Sequence, residues 1–228
     1  GLTAIHATLV YWENTDEAFE KISYWKNLFK EHHDLIVHAK TTKDILQAKQ
    51  NNKVAIIFGF QNSAPIANDI FLVEKFFEAG VRFMQLTYNN QTPLAGGCFE
   101  PKDSGVSRFG KAVIKEMNRL GMIVDLSHAG KQTCLDAIEF SNKPVAISHA
   151  NPNFFHKSKR NIDTDILQKL VKKNGFIGLS LYPYHLKNLG DCTIEDFCEM
   201  IKKLVNLIGE DNIGIGSDLC LNWSDDVV

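Results

Sequence analysis

No apolar run in this chain approaches the roughly 18 residues that suggest a membrane-spanning helix, and no block of like charges interrupts it. Lysine and arginine number 25 against 27 aspartates and glutamates, for a formal net charge of −2. Such a balance leaves no electrostatic footprint for nucleic acid or for an acidic membrane, and neither is expected as a partner. Cysteine is scarce: there are five (Cys98, Cys134, Cys192, Cys198 and Cys220), an odd number with no C-x-x-C pair. That disfavours a disulfide framework and a Cys-type zinc site, and the expectation is free thiols in a reducing, cytoplasmic compartment. Localisation is otherwise open, because an export signal would precede Gly1. The open doubly wound fold is disfavoured as well, since no G-x-G-x-x-G follows a strand.

What is present is a repeated unit. The chain has 228 residues, 44% of them hydrophobic, enough for one large core. Short apolar runs recur at Leu2–Leu9, Val54–Phe60, Val81–Thr87, Met122–Leu126, Pro144–Ser148, Phe176–Leu181 and Ile213–Ser217. Between them lie amphipathic stretches at Asp16–Lys30, Ile66–Ala79, Ser107–Leu120, Lys131–Phe140, Asp163–Lys173 and Ile194–Ile208. Leu120-Gly121 and Asn174-Gly175 read as helix ends. Near-continuous apolar strands alternating with helices imply a parallel sheet covered on both faces. The fold class expected is α/β, a (β/α)8 TIM-type barrel. Seven strands are one short of closure. Gly1 precedes a strand with no helix before it, and the chain stops in Asp225-Asp-Val-Val. The expectation is one partial barrel domain over residues 1–228, lacking its first strand and a C-terminal part, with an open edge beside Leu2–Leu9.

Two of the runs end in the same way. MIVDLSHAG (122–130) and PVAISHA (144–150) each stop on Ser-His. Alternation along a barrel strand places His128 on the face of Val124 and Leu126, and His149 on the face of Val145 and Ile147. By the same count Gln61 follows Ile57 and Gly59, Asp218 follows Gly214 and Gly216, and His6 shares a face with Ala4 and Thr8. All five sit toward strand ends, and barrel active sites are built at the C-terminal face. Two neutral imidazoles and a carboxylate form a plausible zinc-ligand set with open positions for water. His32 and His33 are explained by a helix end, while Tyr182 and Tyr184 could line the pocket, although aromatics at a strand exit more often pack.

Five stretches carry a resemblance. GVRFMQLTYNN (80–90), GVSRFGKAVIKEMNRLGMIVDLSHAG (105–130), SNKPVAISHANP (141–152), KRNIDTDIL (159–167) and IGIGSDL (213–219) resemble the renal, or membrane, dipeptidase family of zinc barrels. The resemblance spans most of residues 50–220 in the same order. It implies that His128 and His149 are metal ligands, that Asp218 binds metal and handles the proton, and that Arg160, with its neighbour Asn161, contacts the substrate carboxylate. Two positions depart from the family. Gln61 stands where a bridging glutamate is expected, and a neutral amide cannot offset the repulsion of two dications. Tyr88 stands after Leu-Thr where a histidine is common; its hydroxyl could stabilise a tetrahedral intermediate by donating a hydrogen bond. The reading is a metal-dependent hydrolase cleaving a dipeptide or similar small amide with metal-activated water, binding one zinc ion in preference to two, with Gln61 at the metal position. The alternatives are an inert barrel serving as a binding protein and a hydrolase of another small amide or lactone. The partner expected is a small dipeptide-like molecule, and a homodimer is left open.

Overall fold

Apolar side chains on both faces of a strand demand cover on both faces, and helices between parallel strands supply it. The computed structural model describes residues 1–187 and 191–219. Cys220 and the terminal Asp225-Asp-Val-Val lie outside them. The chain divides into two compact units, Gly1–Pro144 and Val145–Val228.

The first unit runs β1 (Ala4–Val10), α1 (Thr15–Glu31), β2 (Ile36–His38), α2 (Thr42–Gln50), β3 (Val54–Phe60), α3 (Phe71–Ala79), β4 (Val81–Gln85), α4 (Arg108–Leu120), β5 (Ile123–Asp125) and α5 (Lys131–Phe140). Its strands pair in parallel, β1 with β3, β3 with β4 and β4 with β5. β1 takes one edge of β3 along its length, from Ala4 opposite Ala55 to Val10 opposite Phe60. The other edge is shared, β2 lying beside Val54–Ile56 and β4 beside Phe58–Phe60. Within this unit β1 is paired along one edge only. The second unit runs β6 (Ala146–Ala150), α6 (Thr164–Lys172), β7 (Phe176–Leu179), α7 (Ile194–Ile208) and β8 (Ile213–Ile215), with β7 parallel to both β6 and β8.

Two elements escaped the sequence reading. β2 is only three residues long, and α2 is a nine-residue helix. Both hold their places by small-residue packing, Ala39 and Ala48 closing against Ala55 of β3. A signal for α2 was nevertheless present: Thr41 accepts from the backbone N–H of Asp44, whose carboxylate accepts from the Thr41 N–H. That reciprocal cap is the kind that opens a helix. α3 begins at Phe71 rather than Ile66, because Ala64–Ile66 forms a separate 3-10 turn broken by a positive φ at Ala67. Gly121 ends α4 in the left-handed conformation as expected, whereas after α6 the left-handed residue is Asn174 and not Gly175.

The helix layer of the first unit is fastened by aromatic rings. Phe29 of α1 and His38 of β2 stack at 5.3 Å, and His38 lies 4.0 Å from the Phe58 ring. Burial among these rings lowers the His38 pKa to about 4, against the opposing pull of its hydrogen bond to the Gly80 carbonyl. It is a core histidine.

Candidate functional site

In the first unit Gln61, Tyr88, Asn89 and His128 lie beyond the C-terminal ends of β3, β4 and β5, whereas His6 and Thr8 lie within β1, so His6 does not end its strand as expected. A Cβ on Gly59 would collide with the His6 ring, and Gln61 Nε2 donates to Thr8 Oγ1 at 2.9 Å. His6, Thr8, Gly59 and Gln61 therefore share a face, as strand alternation required. The His6 ring packs 4.7 Å from Phe83 and its Nε2 has no hydrogen-bond partner among the described residues. Burial lowers its pKa, opposed by the nearby Asp125 carboxylate.

His128 is built by a turn. β5 ends at Asp125, whose Oδ1 accepts from both the N–H (3.0 Å) and the Oγ–H (2.9 Å) of Ser127. This side-chain turn stops the strand, and His128 follows with φ +65, a left-handed backbone. Its carbonyl accepts from Cys98 N at 2.9 Å and Thr87 Oγ1 at 3.2 Å. Its ring stacks on Tyr88 at 4.2 Å, and Nδ1 lies 2.7 Å from Asn89 Oδ1. Tyr88 is itself met edge-on by Tyr11 at 5.8 Å and by the half-exposed Trp12 at 5.2 Å. Sequence reasoning passed over Asn89, Tyr11 and Trp12. The signal was their position in the segments that follow β4 and β1, at the end of the strands where barrel sites form.

In the second unit His149 sits inside β6 with an extended backbone. Its Nδ1 is 2.8 Å from Ser148 Oγ, and its Nε2 is 4.0 Å from Asp218 Oδ1. Asp218 follows β8 with φ +56; burial raises its pKa, and the Arg160 charge works against that rise. Crowding beside it is real, because a Cβ on Gly216 would strike the Ser148 carbonyl. Arg160 is buried, and Nη2 donates to His149 O at 3.3 Å. Its guanidinium pairs with no carboxylate among the described residues. Asn161 is engaged by the backbone: Oδ1 accepts from Asn151 N, and Nδ2 donates to the carbonyls of His156 and His185. His185, set aside on sequence because it shares no convergence with the strand-end groups, is buried with Nδ1 2.8 Å from Ser180 Oγ and feels the Arg160 charge. Burial first, then the charges of Arg160 and His156, drive its pKa down to about 2, so it stays neutral. Tyr182 packs 5.1 Å from His185 and 5.6 Å from Tyr184.

The donor chemistry fits a zinc-like cation in part. With bonds of about 2.0–2.2 Å, one ion can be shared by donors up to roughly 4.4 Å apart, and His149 Nε2 and Asp218 Oδ1 fall within that reach. Among the described residues no group of three or more His, Cys, Asp or Glu side chains gathers for a metal. Each unit holds candidate donors of its own: His128 and the neutral Gln61 in the first, His149 and Asp218 in the second. The four cysteines at 98, 134, 192 and 198 are free thiols. No helix among the described residues is long and apolar enough to cross a membrane.

Known proteins resemble this chain over most of its length. An uncharacterized dipeptidase of Schizosaccharomyces pombe is 29% identical over 212 residues, covering 89% of this chain and 50% of the relative. Dipeptidase aclJ of Aspergillus oryzae is 28% identical over 215 residues, covering 92% of this chain and 51% of the relative. The chain spans about half the length of these curated relatives. Among solved structures, an amidohydrolase from Pseudomonas aeruginosa superposes with a TM-score of 0.94 at 37% identity, over 98% of this chain and 69% of the other. A metallopeptidase from Rhodobacter sphaeroides, liganded with a phosphinate mimic of the dipeptide L-Ala-D-Ala, gives 0.84 at 20% identity, over 90% and 61%; that likeness speaks for the fold alone. The fold class is accordingly α/β, of the (β/α)8 TIM-barrel type. The sequence pattern of the membrane dipeptidase family matches residues 3–221, and the chain belongs to that family, peptidase family M19.

Proposed function

We propose that the protein is a zinc-dependent hydrolase of dipeptides or similarly small amides. The observation that carries this reading is Arg160. A buried guanidinium presents five donors, and among the described residues this one spends a single hydrogen bond on protein, the one to His149 O. Burying a cation that is not directly paired is costly, and among the described residues Arg160 acts on the Asp218 carboxylate without forming an ion pair with it. A substrate carboxylate supplies the direct partner, and a dipeptide brings one at its C-terminus. Asp218 and His149, in the same unit, put a carboxylate and an imidazole beside it.

His128 and His149 are the residues assigned to hold zinc, which when bound would polarise a carbonyl and acidify water. Asp218 orients the attacking water, takes its proton and returns it to the leaving amine. Tyr88 donates its hydroxyl to the developing oxyanion, its ring held in place by the stack on His128. Arg160 anchors the carboxylate, and Asn161 keeps the Arg160 loop in position through its three backbone bonds. One ion rather than two follows from Gln61, whose amide brings no charge to a bridging position and donates instead to Thr8.

The test uses full-length protein, with zinc per chain and hydrolysis of L-Ala-D-Ala measured together. Arg160→Met should cut kcat/KM for the dipeptide about 10–100-fold, the loss of a charged hydrogen bond of about 1.5–3 kcal/mol, and should barely change it for the C-terminal carboxamide. Equal losses on both substrates would remove Arg160 from carboxylate binding. A metal-free, inert protein that still binds the phosphinate dipeptide mimic would instead establish a binding protein, the second reading that Gln61 favours.

A further inference from the structure

His128 is fixed from several sides by one segment of the chain, residues 87–99. Thr87 Oγ1 and Cys98 N both bond its carbonyl, Tyr88 covers its ring, and Asn89 Oδ1 meets its Nδ1 at 2.7 Å. Asn89 is itself held tightly. It is buried, its φ of +60 is left-handed, and its carbonyl accepts from Phe99 N at 3.0 Å. The same Oδ1 also accepts from Cys98 Sγ at 3.6 Å. That atom, which accepts from the Cys98 thiol, is the amide oxygen, and an amide oxygen is only an acceptor. The ring nitrogen facing it must then carry the hydrogen.

We propose that Asn89 is a positioning residue that locks His128 in the Nδ1–H tautomer and so places the ring's lone pair on Nε2. A histidine that ligates through one nitrogen is set by the hydrogen bond its other nitrogen makes. The partner here is an amide, where a carboxylate would also raise the basicity of the ring. Asn89 therefore orients His128 without adding negative charge next to it. Asparagine suits the place twice over, because it tolerates the left-handed backbone better than other side-chain-bearing residues do and carries the acceptor. The consequence for metal binding rests on the zinc reading above; the tautomer itself does not.

The experiment is nitrogen-15 NMR of the imidazole rings in metal-free, full-length protein at a pH where histidines are neutral, with His128→Gln identifying the His128 signals. Three chains are compared: wild type, Asn89→Gly, which keeps the left-handed backbone and removes the amide, and Asn89→Asp, which keeps the acceptor. Wild type and Asn89→Asp should show the Nδ1–H signature, and Asn89→Gly should relax toward the mixture of a free imidazole. Zinc affinity should then fall about 10–100-fold in Asn89→Gly, the usual effect of losing such a partner, and Asn89→Asp should bind at least as tightly as wild type. An Nε2–H signature in wild type, or an unchanged tautomer in Asn89→Gly, overturns the inference whatever the metal does. The predicted tautomer shift in a protein that binds no zinc would sustain the role of Asn89 and defeat the proposed function instead.

Discussion

The tripeptide Ser-His-Ala occurs twice at the end of an apolar run, and the two copies are built by different means. At residues 127–129 the strand has already stopped, His128 is left-handed, and its ring and carbonyl are held by groups 30 or more positions away in sequence. At residues 148–150 the strand continues, His149 is extended, and its Nδ1 is met by the residue just before it. An identical local sequence does not determine the local backbone. What differs is the residue upstream: Asp125 precedes Ser127 by two positions and captures its N–H and hydroxyl, whereas the corresponding place before Ser148 is Ala146, which has nothing to capture with.

The largest expected effect tests that explanation. Asp125 is buried, with Oδ1 on the two Ser127 donors and Oδ2 accepting from Gln85 Nε2 at 3.3 Å. Asp125→Ala strands three donors in the interior, each costing about 1–3 kcal/mol. A destabilisation of roughly 3–5 kcal/mol is expected in urea denaturation, after relaxation of the site. A loss below about 1 kcal/mol, the ordinary size of a single net hydrogen bond, would mean that the His128 turn is held by something other than Asp125.

A smaller effect sharpens the contrast by its sign. Left-handed φ costs a residue with a Cβ about 1–2 kcal/mol, while glycine in a strand is about 0.5–1 kcal/mol worse than alanine. Comparing glycine with alanine at each position cancels the loss of the ring. His128→Gly should be more stable than His128→Ala by about 1 kcal/mol, and His149→Gly less stable than His149→Ala by about 0.5–1 kcal/mol. Thermal or chemical denaturation of the four variants is enough. The same sign at both positions would show that the two backbones do not differ as described.

The same contrast explains what could be read in advance. Strand and helix positions were legible because apolar periodicity is a local property: β3, α5 and α7 have the limits that the runs announced. β2 and α2 were not, since alanines packed on alanines leave little hydrophobic periodicity to read. His128 and His149 stood out because their Ser-His motif repeats, but alternation could not place His128, which lies beyond the end of β5 with a left-handed backbone, and His149 lies within β6. Asn89 and His185 act on site residues through contacts that no spacing rule lists, and Asn89 lies 39 positions from the ring it meets. The left-handed backbones at His128 and Asp218 were equally invisible, because His and Asp, although enriched at positive φ, adopt it in only a small minority of cases.

The smallest expected effect lies at Ser148, the counterpart of Asn89. Its hydroxyl meets His149 Nδ1 at 2.8 Å, close to the separation of the Asn89–His128 pair. Distance alone would make the two serve equally. Chemistry separates them: an amide oxygen only accepts, whereas a hydroxyl both donates and accepts and rotates to suit. Ser148 can therefore satisfy either tautomer of His149 and cannot select one. Ser148→Ala should cost no more than about 0.5–1.5 kcal/mol of stability, one neutral hydrogen bond, and should leave the nitrogen-15 tautomer balance of His149 largely where it was. Zinc affinity should fall less than tenfold, below the range of roughly 10–100-fold that loss of an orienting partner brings. If Ser148→Ala instead weakens zinc binding as much as Asn89→Gly does, the two histidines are positioned alike and the contrast between the two Ser-His-Ala copies ends at the backbone.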